Sequence, residues 1–306
     1  MSIALNTSIP ILALIAAGWL ARRMGWLRSG DERVLNSYVY YFALPAMFFV
    51  DLAEMRFTPD NLRFILAGIL PVILALALFL LLYAVLRFSR ETLYLMIEST
   101  AFGSLAFFGI PFLHFAFPGQ VEHLATLATA SISIIGVAAS LMVLEIRQAG
   151  GGLSGPALRI VAWKLARNPL IISILAGGLF SLSGIALPEA LSQPLHMLGR
   201  TTVTVAIFLL GVFLYGRAYT GLGQAFRLSL LRMALLPLLA LGVDRALGVT
   251  GMDHTVLVIM QAVPVALSMI VLSERYDFHK ETIASLVLVS SLGSAVYLNL
   301  WLWLLH

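Results

Sequence analysis

The sequence contains no cysteine and few charged residues. Without cysteine, the chain has no disulfide, no thiolate metal ligand and no cysteine nucleophile. Only 11% of the residues are charged, whereas soluble domains carry about 25%. Hydrophobic residues instead make up 60% of the chain, and the mean hydropathy is +0.98. This composition is typical of an integral membrane protein whose helices are held together by packing.

Signatures of an enzyme are also absent from the sequence. None of the six histidines has a metal-ligand spacing such as HExxH. The glycine-rich stretch GGGLSG lacks the Lys-Ser/Thr pair of a phosphate-binding loop. We therefore expect no enzymatic activity, no cofactor and no bound metal.

Apolar segments divide the chain into ten predicted spans. A helix that crosses a bilayer needs about 20 apolar residues. The first segment has no basic residue before it and two directly after it, so we expect a retained span rather than a cleaved signal peptide. The ten segments cover residues 3–21, 34–53, 62–87, 92–116, 121–145, 160–184, 195–216, 226–247, 254–273 and 281–304.

The basic residues favour this count. If both termini lie outside, only Arg56, Arg63, Arg200 and Arg245 fall on the outer side. Because basic residues concentrate on the cytoplasmic side, this distribution predicts ten spans with both termini outside the cytoplasm. It also accounts for the net charge of +4 without a nucleic-acid partner. Fifteen of the 19 basic residues then fall in inside connections: Arg22, Arg23, Arg28, Arg33, Arg87, Arg90, Arg147, Arg159, Lys164, Arg167, Arg217, Arg227, Arg232, Arg275 and Lys280.

The two halves of the chain resemble each other at an offset of 159 residues. Residues 9–25, IPILALIAAGWLARRMG, align with residues 168–184, NPLIISILAGGLFSLSG, and six of the 17 positions are identical. Five spans in each half would place the second copy upside down relative to the first. We therefore predict a first repeat over 1–145, a cytoplasmic linker over 146–157 and an inverted second repeat over 158–306.

Span four and span nine each carry a helix breaker near the middle. Pro264 lies about 10 residues into span nine, where it removes a backbone donor and clashes with the preceding turn. Gly103 and Ser104 lie about 11 residues into span four. Pro and Gly also produce ordinary kinks in membrane helices. Breaks at the same depth in two inverted halves, however, are typical of the binding site of a transporter.

A broken helix exposes groups that bind ions. The second half of each span begins with unpaired N–H groups and the positive end of a helix dipole, which suit a carboxylate. Ser104 is positioned to cap one such end, and Val265 begins the other. The freed carbonyls of the first halves are equally suited to a cation, so the dipoles alone leave the sign of the substrate open.

Five stretches of sequence, spread through both halves of the chain, together form a recognisable pattern in their order and spacing. With these stretches the chain resembles the auxin efflux carrier family, the bacterial relatives of the plant PIN carriers, within the bile acid, arsenite and riboflavin transporter-like superfamily. The stretches are LNSYVYYFALPAMFF (35–49), FFGIPFL (107–113), RNPLIISILAGGL (167–179), LGRTTVTVAIFLLGVFL (198–214) and QAVPVALSMIVLSERY (261–276).

The resemblance implies an all-α membrane protein with two inverted five-helix repeats and crossed, broken helices four and nine. It implies that helices 1, 2, 6 and 7 form a scaffold, through which a homodimer is expected, and that helices 3–5 and 8–10 move against it as an elevator. It also implies a bacterial inner-membrane location and organic anions as substrates. The chain departs from the family at Gly103-Ser104, where an asparagine is usual, at Thr204, where a proline is common, and at Arg200, which replaces a small polar residue.

Several polar residues are candidates for the transport path. Glu98, about six residues into span four, is the candidate proton or ion carrier, because ionisable groups within the membrane are costly. A pair with a nearby Arg or an exposed vestibule position would explain it as well. Arg200 is a candidate anion anchor, although it is close enough to the outer surface to snorkel there. The predicted substrate-binding residues are Gly103, Ser104, Pro264, Val265, Gln261, Ser268 and Asn36.

The sequence thus predicts a secondary transporter of a small mono- or dicarboxylate, auxin-like or malonate-like. A sodium-coupled organic anion symporter of the bile-acid type is the alternative within transporters. A membrane receptor or a channel is the alternative outside them. A channel needs no matched breaks, and a receptor is expected to carry a signalling domain. The lipid bilayer and the carboxylate are the expected partners.

Overall fold

The described residues of the chain are almost entirely helical. The computed structural model describes residues 2–55, 58–148, 155–216 and 219–305, without the side chains of 2–8 and 157. Arg56 and Arg217, two of the basic residues counted above, and the linker glycines at 150–152 lie outside the described residues. Within the described part, five helices are long and apolar enough to cross a membrane, or six if one broken pair counts as a single span. The predicted all-α membrane protein is therefore confirmed, while the count of ten spans stays a prediction.

The chain divides into two compact units. The first comprises Met1–Leu62, Ala106–Ala130 and Arg167–Arg217. The two longest helices that lie entirely in this unit are the first and the last of its set. In chain order, the helices of this unit are α1 (Ser2–Arg23), α2 (Asp31–Tyr38), α3 (Leu44–Ala53), α6 (Ile110–Ala116), the start of α7 (Glu122–Gln148), α9 (Pro169–Leu182) and α10 (Glu189–Leu214).

Glycines bring the helices of the first unit into close contact. A Cβ atom on Gly18 of α1 would lie 2.0 Å from the carbonyl oxygen of Phe208 on α10. A Cβ on Gly177 of α9 would lie 2.7 Å from the carbonyl oxygen of Phe49 on α3. Small residues of this kind let backbones approach in membrane helices. Gly177 and Phe208 follow Gly18 and Phe49 by 159 residues, so the same contact occurs twice at the offset of the sequence repeat.

The second unit comprises Arg63–Leu105, Ser131–Ala166 and Ala218–His306. Its core is rich in small polar side chains, among them buried serines on α15. Two of its helices are followed by short extended breaks, at residues 102–104 and 263–266. The helices of this unit are α4 (Pro59–Leu86), α5 (Arg90–Ala101), the rest of α7, α8 (Gly155–Ala166), α11 (Leu222–Leu230), α12 (Leu236–Leu247), α13 (Gly251–Ala262), α14 (Ser268–Arg275) and α15 (Lys280–Leu305).

In the described parts of the chain, three wide π-helical turns interrupt the helices, and each ends two residues before a proline. They cover Val39–Ala43, Leu105–Gly109 and Leu231–Leu235, and the prolines are Pro45, Pro111 and Pro237. A proline ring clashes with the carbonyl four residues earlier and donates no hydrogen bond. A widened turn relieves that clash without ending the helix, and such turns are frequent at functional sites.

The predicted span over 160–184 is interrupted. Helix α8 ends at Ala166 and α9 begins at Pro169, with Asn168 between them. The Asn168 side chain accepts a hydrogen bond from the Leu170 N–H at 2.9 Å and so caps α9. Pro169 disfavours a helical conformation in the residue before it. The apolar run alone, from which one span was predicted over 160–184, did not reveal this break.

Candidate substrate-binding site

The breaks after α5 and α13 pair with each other as two short extended strands. The Ser104 N–H donates to the Pro264 carbonyl at 2.8 Å, and the Ala266 N–H donates to the Phe102 carbonyl at 2.9 Å. Gly103 and Val265 thereby form an antiparallel bridge. All these residues belong to the second unit. The two interrupted helices therefore meet at their breaks and satisfy part of each other's backbone.

Pro264 explains where α13 stops. The residue before it, Val263, has φ −56° and ψ 153°, an extended conformation that a following proline favours. The N–H of Val265, just after the proline, donates to Ser290 Oγ on α15 at 3.2 Å. The amides of Ser104, Val265 and Ala266 are therefore all paired within the protein. Fewer backbone N–H groups are therefore free to bind an anion next to the breaks than we expected from the sequence.

A buried arginine side chain lies beside the paired breaks. Arg232 is fully buried in the wide turn before α12. Its Nε donates to the Val263 carbonyl at 2.7 Å, and its Nη1 donates to the Thr100 carbonyl. Its Nη2 has no hydrogen-bond partner among the described residues. A Cβ atom on Gly103 would lie 1.6 Å from this Nη2, so the guanidinium fills the space that the missing side chain leaves.

Glu98 is buried on α5, about one turn before the break. The hydroxyl of Ser140 on α7 donates to its Oε2 at 2.6 Å, and the same hydroxyl lies 3.7 Å from the sulfur of Met269 on α14. Its Oε1 has no partner in the described part of the chain. Glu98 is therefore a fully buried carboxyl group with one hydrogen bond, beside the second half of the other broken helix.

Two further predicted residues flank the break in the second unit. Gln261 is fully buried, and its Nε2 donates to the Gly68 carbonyl on α4 at 2.6 Å, while its Oε1 has no partner among the described residues. The amide thus serves a backbone carbonyl in this structure. Ser268 is half-buried and is the first residue of α14.

Asn36 and Arg200, the other two predicted residues, belong to the first unit. Asn36 is half-buried on α2, and Arg200 is exposed on α10. Arg200 lines a cavity of about 580 Å³ within this unit. The carboxylates of Asp51, Glu54 and Glu122 line the same cavity and oppose anion binding there. Arg200 as an anion anchor therefore stays a prediction.

Glu54 is the best-paired carboxylate of that cavity. Ser192 Oγ donates to it at 2.5 Å, and His196 Nε2 lies 2.9 Å from its other oxygen. Partial burial acts to raise the pKa of Glu54, but these hydrogen bonds outweigh it and hold the pKa below its ordinary value. The carboxylate is therefore ionised at neutral pH.

A comparison with known families decides what kind of protein this is. A family model described as a membrane transport protein matches residues 3–146 and 115–302. The chain belongs to this membrane transport family. The resemblance to auxin efflux carriers is thereby confirmed.

Relatives of this transporter match it over nearly its whole length. An uncharacterized transporter from Methanocaldococcus jannaschii is 23% identical over 99% of each chain. The uncharacterized transporter YfdV of Escherichia coli strain K12 is 24% identical over 96% of this chain and 95% of its own. A Rhizobium meliloti protein named "Putative malonate transporter" is 26% identical over 97% of this chain and 94% of its own.

We call the paired breaks at 102–104 and 263–266 the crossing. Two residues of the crossing in this transporter were missed by sequence reasoning. The charge count assigned Arg232 to an inside connection, but the structure buries it completely inside a helix. Its position among apolar residues, five before Pro237, was the available signal. Ser290 was not singled out, although it accepts the first N–H after Pro264. Nothing distinguishes Ser290 from the other serines of its span until the fold brings it to the break.

Proposed function

We propose that this membrane transporter is a secondary carrier of small organic anions, mono- or dicarboxylates, that binds its substrate where the two broken helices meet. The observation that carries the proposal is the buried guanidinium of Arg232, whose Nη2 is unpartnered among the described residues. An unpaired donor of this kind is costly to bury unless a ligand completes it. A carboxylate is the natural acceptor for a guanidinium.

A malonate-like substrate is the first candidate within this class. The name of the Rhizobium meliloti relative supports it, and that relative matches 97% of this chain. Auxin-like monocarboxylates are the second candidate, on the family resemblance. The Nη2 group of Arg232, which is unpartnered among the described residues, can bind one carboxylate. A dicarboxylate would therefore place its second carboxylate elsewhere.

Alternating access would follow an elevator scheme with two inverted five-helix repeats. The recurrence of one glycine contact at an offset of 159 residues, Gly18 with Phe208 and Gly177 with Phe49, supports the repeat. The placement of both breaks in the second unit supports a moving domain that carries the substrate. Helices 1, 2, 6 and 7 would form the scaffold and a homodimer contact. The protein would lie in the bacterial inner membrane with both termini outside.

The alternatives make different demands on the crossing. A sodium-coupled symporter of the bile-acid type would need free carbonyls for its cation, and Arg232 already bonds two of them. A channel would not need two helix breaks that pair with each other. A receptor stays the weakest alternative, because the comparisons match transporters along nearly the full chain.

Ligand binding and transport can be tested on the purified protein. We expect one class of carboxylate, given as its potassium salt, to raise the midpoint temperature of unfolding, because a ligand of the folded state stabilises it by about 2.7 kcal/mol at 100 times its Kd. The same compound should enter proteoliposomes. The neutral diamide of malonate is the matched control for malonate and should do neither. Stabilisation by no carboxylate, or equally by the diamide, would contradict the proposal.

The role of Glu98 can be separated from that of the anion site. We propose that Glu98 carries a proton during the cycle, because it is a buried carboxyl group with a single hydrogen bond beside the crossing. Glu98→Gln keeps the shape and still accepts from Ser140, so the fold should persist. Uptake by this variant should lose its dependence on a pH gradient, while the wild type keeps it. Equal gradient dependence in both proteins would remove Glu98 from coupling.

A further inference from the structure

The guanidinium of Arg232 lies where the carbonyl ends of both broken helices meet. It donates to Val263, the residue directly after the end of α13, and to Thr100 in the last turn of α5. The last four carbonyls of a helix have no partner within that helix, and they carry the negative end of its dipole. One cationic side chain therefore satisfies two helix ends that belong to different spans.

These carbonyls are the ligands that a free cation would use at a broken membrane helix. Arg232 reaches them from within the protein, and its side chain is fully buried. We infer that Arg232 is a built-in cation that takes the place of a coupling cation at the crossing, so that anion transport by this chain requires no sodium. The transport consequence rests on the proposed function, whereas the replacement of a cation can be measured without any substrate.

The shape of the guanidinium suits this role. Its donors form a planar fork, so two of its nitrogens reach acceptors on different helices while the third stays available. In this structure Nε and Nη1 take the Val263 and Thr100 carbonyls, and Nη2 lies against Gly103. A metal cation at the same carbonyls would offer no such donor. Arg232 would thus occupy the position of a cation at the two carbonyls and, through Nη2, also bind the anion.

Removal of the guanidinium should leave an empty cation position. We would purify Arg232→Ala and measure its unfolding midpoint in millimolar guanidinium, sodium or potassium chloride at equal ionic strength. Guanidinium should raise the midpoint of Arg232→Ala by about 2–4 °C and leave the wild type unchanged. Arg227→Ala is the matched control, because Arg227 is exposed on the neighbouring helix α11 and donates to the Gly223 carbonyl of the same helix. It should respond as the wild type does.

If neither guanidinium nor sodium raises the unfolding midpoint of Arg232→Ala more than that of Arg227→Ala, the inference is overturned. If Arg232→Ala does not fold, the wild type decides the matter: equal midpoints in sodium and potassium support the inference, and a sodium-specific increase overturns it. Carboxylate uptake that requires sodium would also overturn it while leaving the anion carrier in place. Rescue by guanidinium without uptake of any carboxylate would instead contradict the proposed function alone.

Discussion

Replacing Gly103 with alanine should reduce transport to background and destabilise the folded protein. The new Cβ atom would lie 1.6 Å from Nη2 and 2.0 Å from Cζ of Arg232. The guanidinium would have to leave, and its bonds to the Val263 and Thr100 carbonyls would break. A hydrogen bond from a charged donor contributes about 1.5–3 kcal/mol, so we expect the free energy of unfolding to fall by about 3 kcal/mol or more. Thermal unfolding and proteoliposome uptake measure the two effects.

Gly242→Ala is the matched control for this substitution. Gly242 lies on α12 in the same unit, and beyond its chain neighbours and the backbone of its own helix no atom of the described residues lies within 4 Å of the position its Cβ would take. Alanine there should raise the stability slightly, because it favours a helix over glycine by about 1 kcal/mol. A Gly103→Ala protein that transports at the wild-type rate would show that the contact between Gly103 and Arg232 plays no part in the cycle.

The location of the breaks was predictable because it depends on local chemistry. Pro264 restricts the residue before it and lacks an N–H, and these properties act wherever the proline stands. The observed end of α13 at Ala262 follows directly. Gly103 is a weaker signal, because glycine permits a break without imposing one. Its meaning became clear only from its contact with Arg232.

The partners at the breaks could not be predicted, because they depend on contacts between residues distant in the chain. Arg232 is separated from Thr100 by 132 residues, and Ser290 is 25 residues from Val265. A count of charges by position treats every Arg near a span end alike, so it assigned Arg232 to the cytoplasmic side. The interruption at Asn168 within the predicted span over 160–184 was missed because the span was predicted from hydropathy. Hydropathy averages over a window of about 19 residues and does not respond to one capped break.

Replacing Pro264 with alanine should leave the protein folded and inserted but reduce transport to background. Alanine would supply an N–H at position 264 and free Val263 to become helical, and it is favoured over proline in a helix by about 3 kcal/mol. Helix α13 would then extend through the break. The Pro264 carbonyl, which accepts from the Ser104 N–H in the native bridge, would turn into the helix. Yield from membranes, the unfolding midpoint and uptake measure insertion, folding and transport separately.

Pro194→Ala separates the break from a general effect of proline. Pro194 lies within α10 near its start and is exposed, so alanine there should leave both stability and uptake close to the wild-type values. If Pro264→Ala also transported at the wild-type rate, the paired breaks would be a structural kink and no part of the mechanism. If it lost both uptake and carboxylate stabilisation while the Arg227→Ala protein kept them, substrate binding would depend on the bridge. The backbone bridge would then hold Arg232 in position, because Val263, whose carbonyl bonds Nε, is the residue that Pro264 keeps extended.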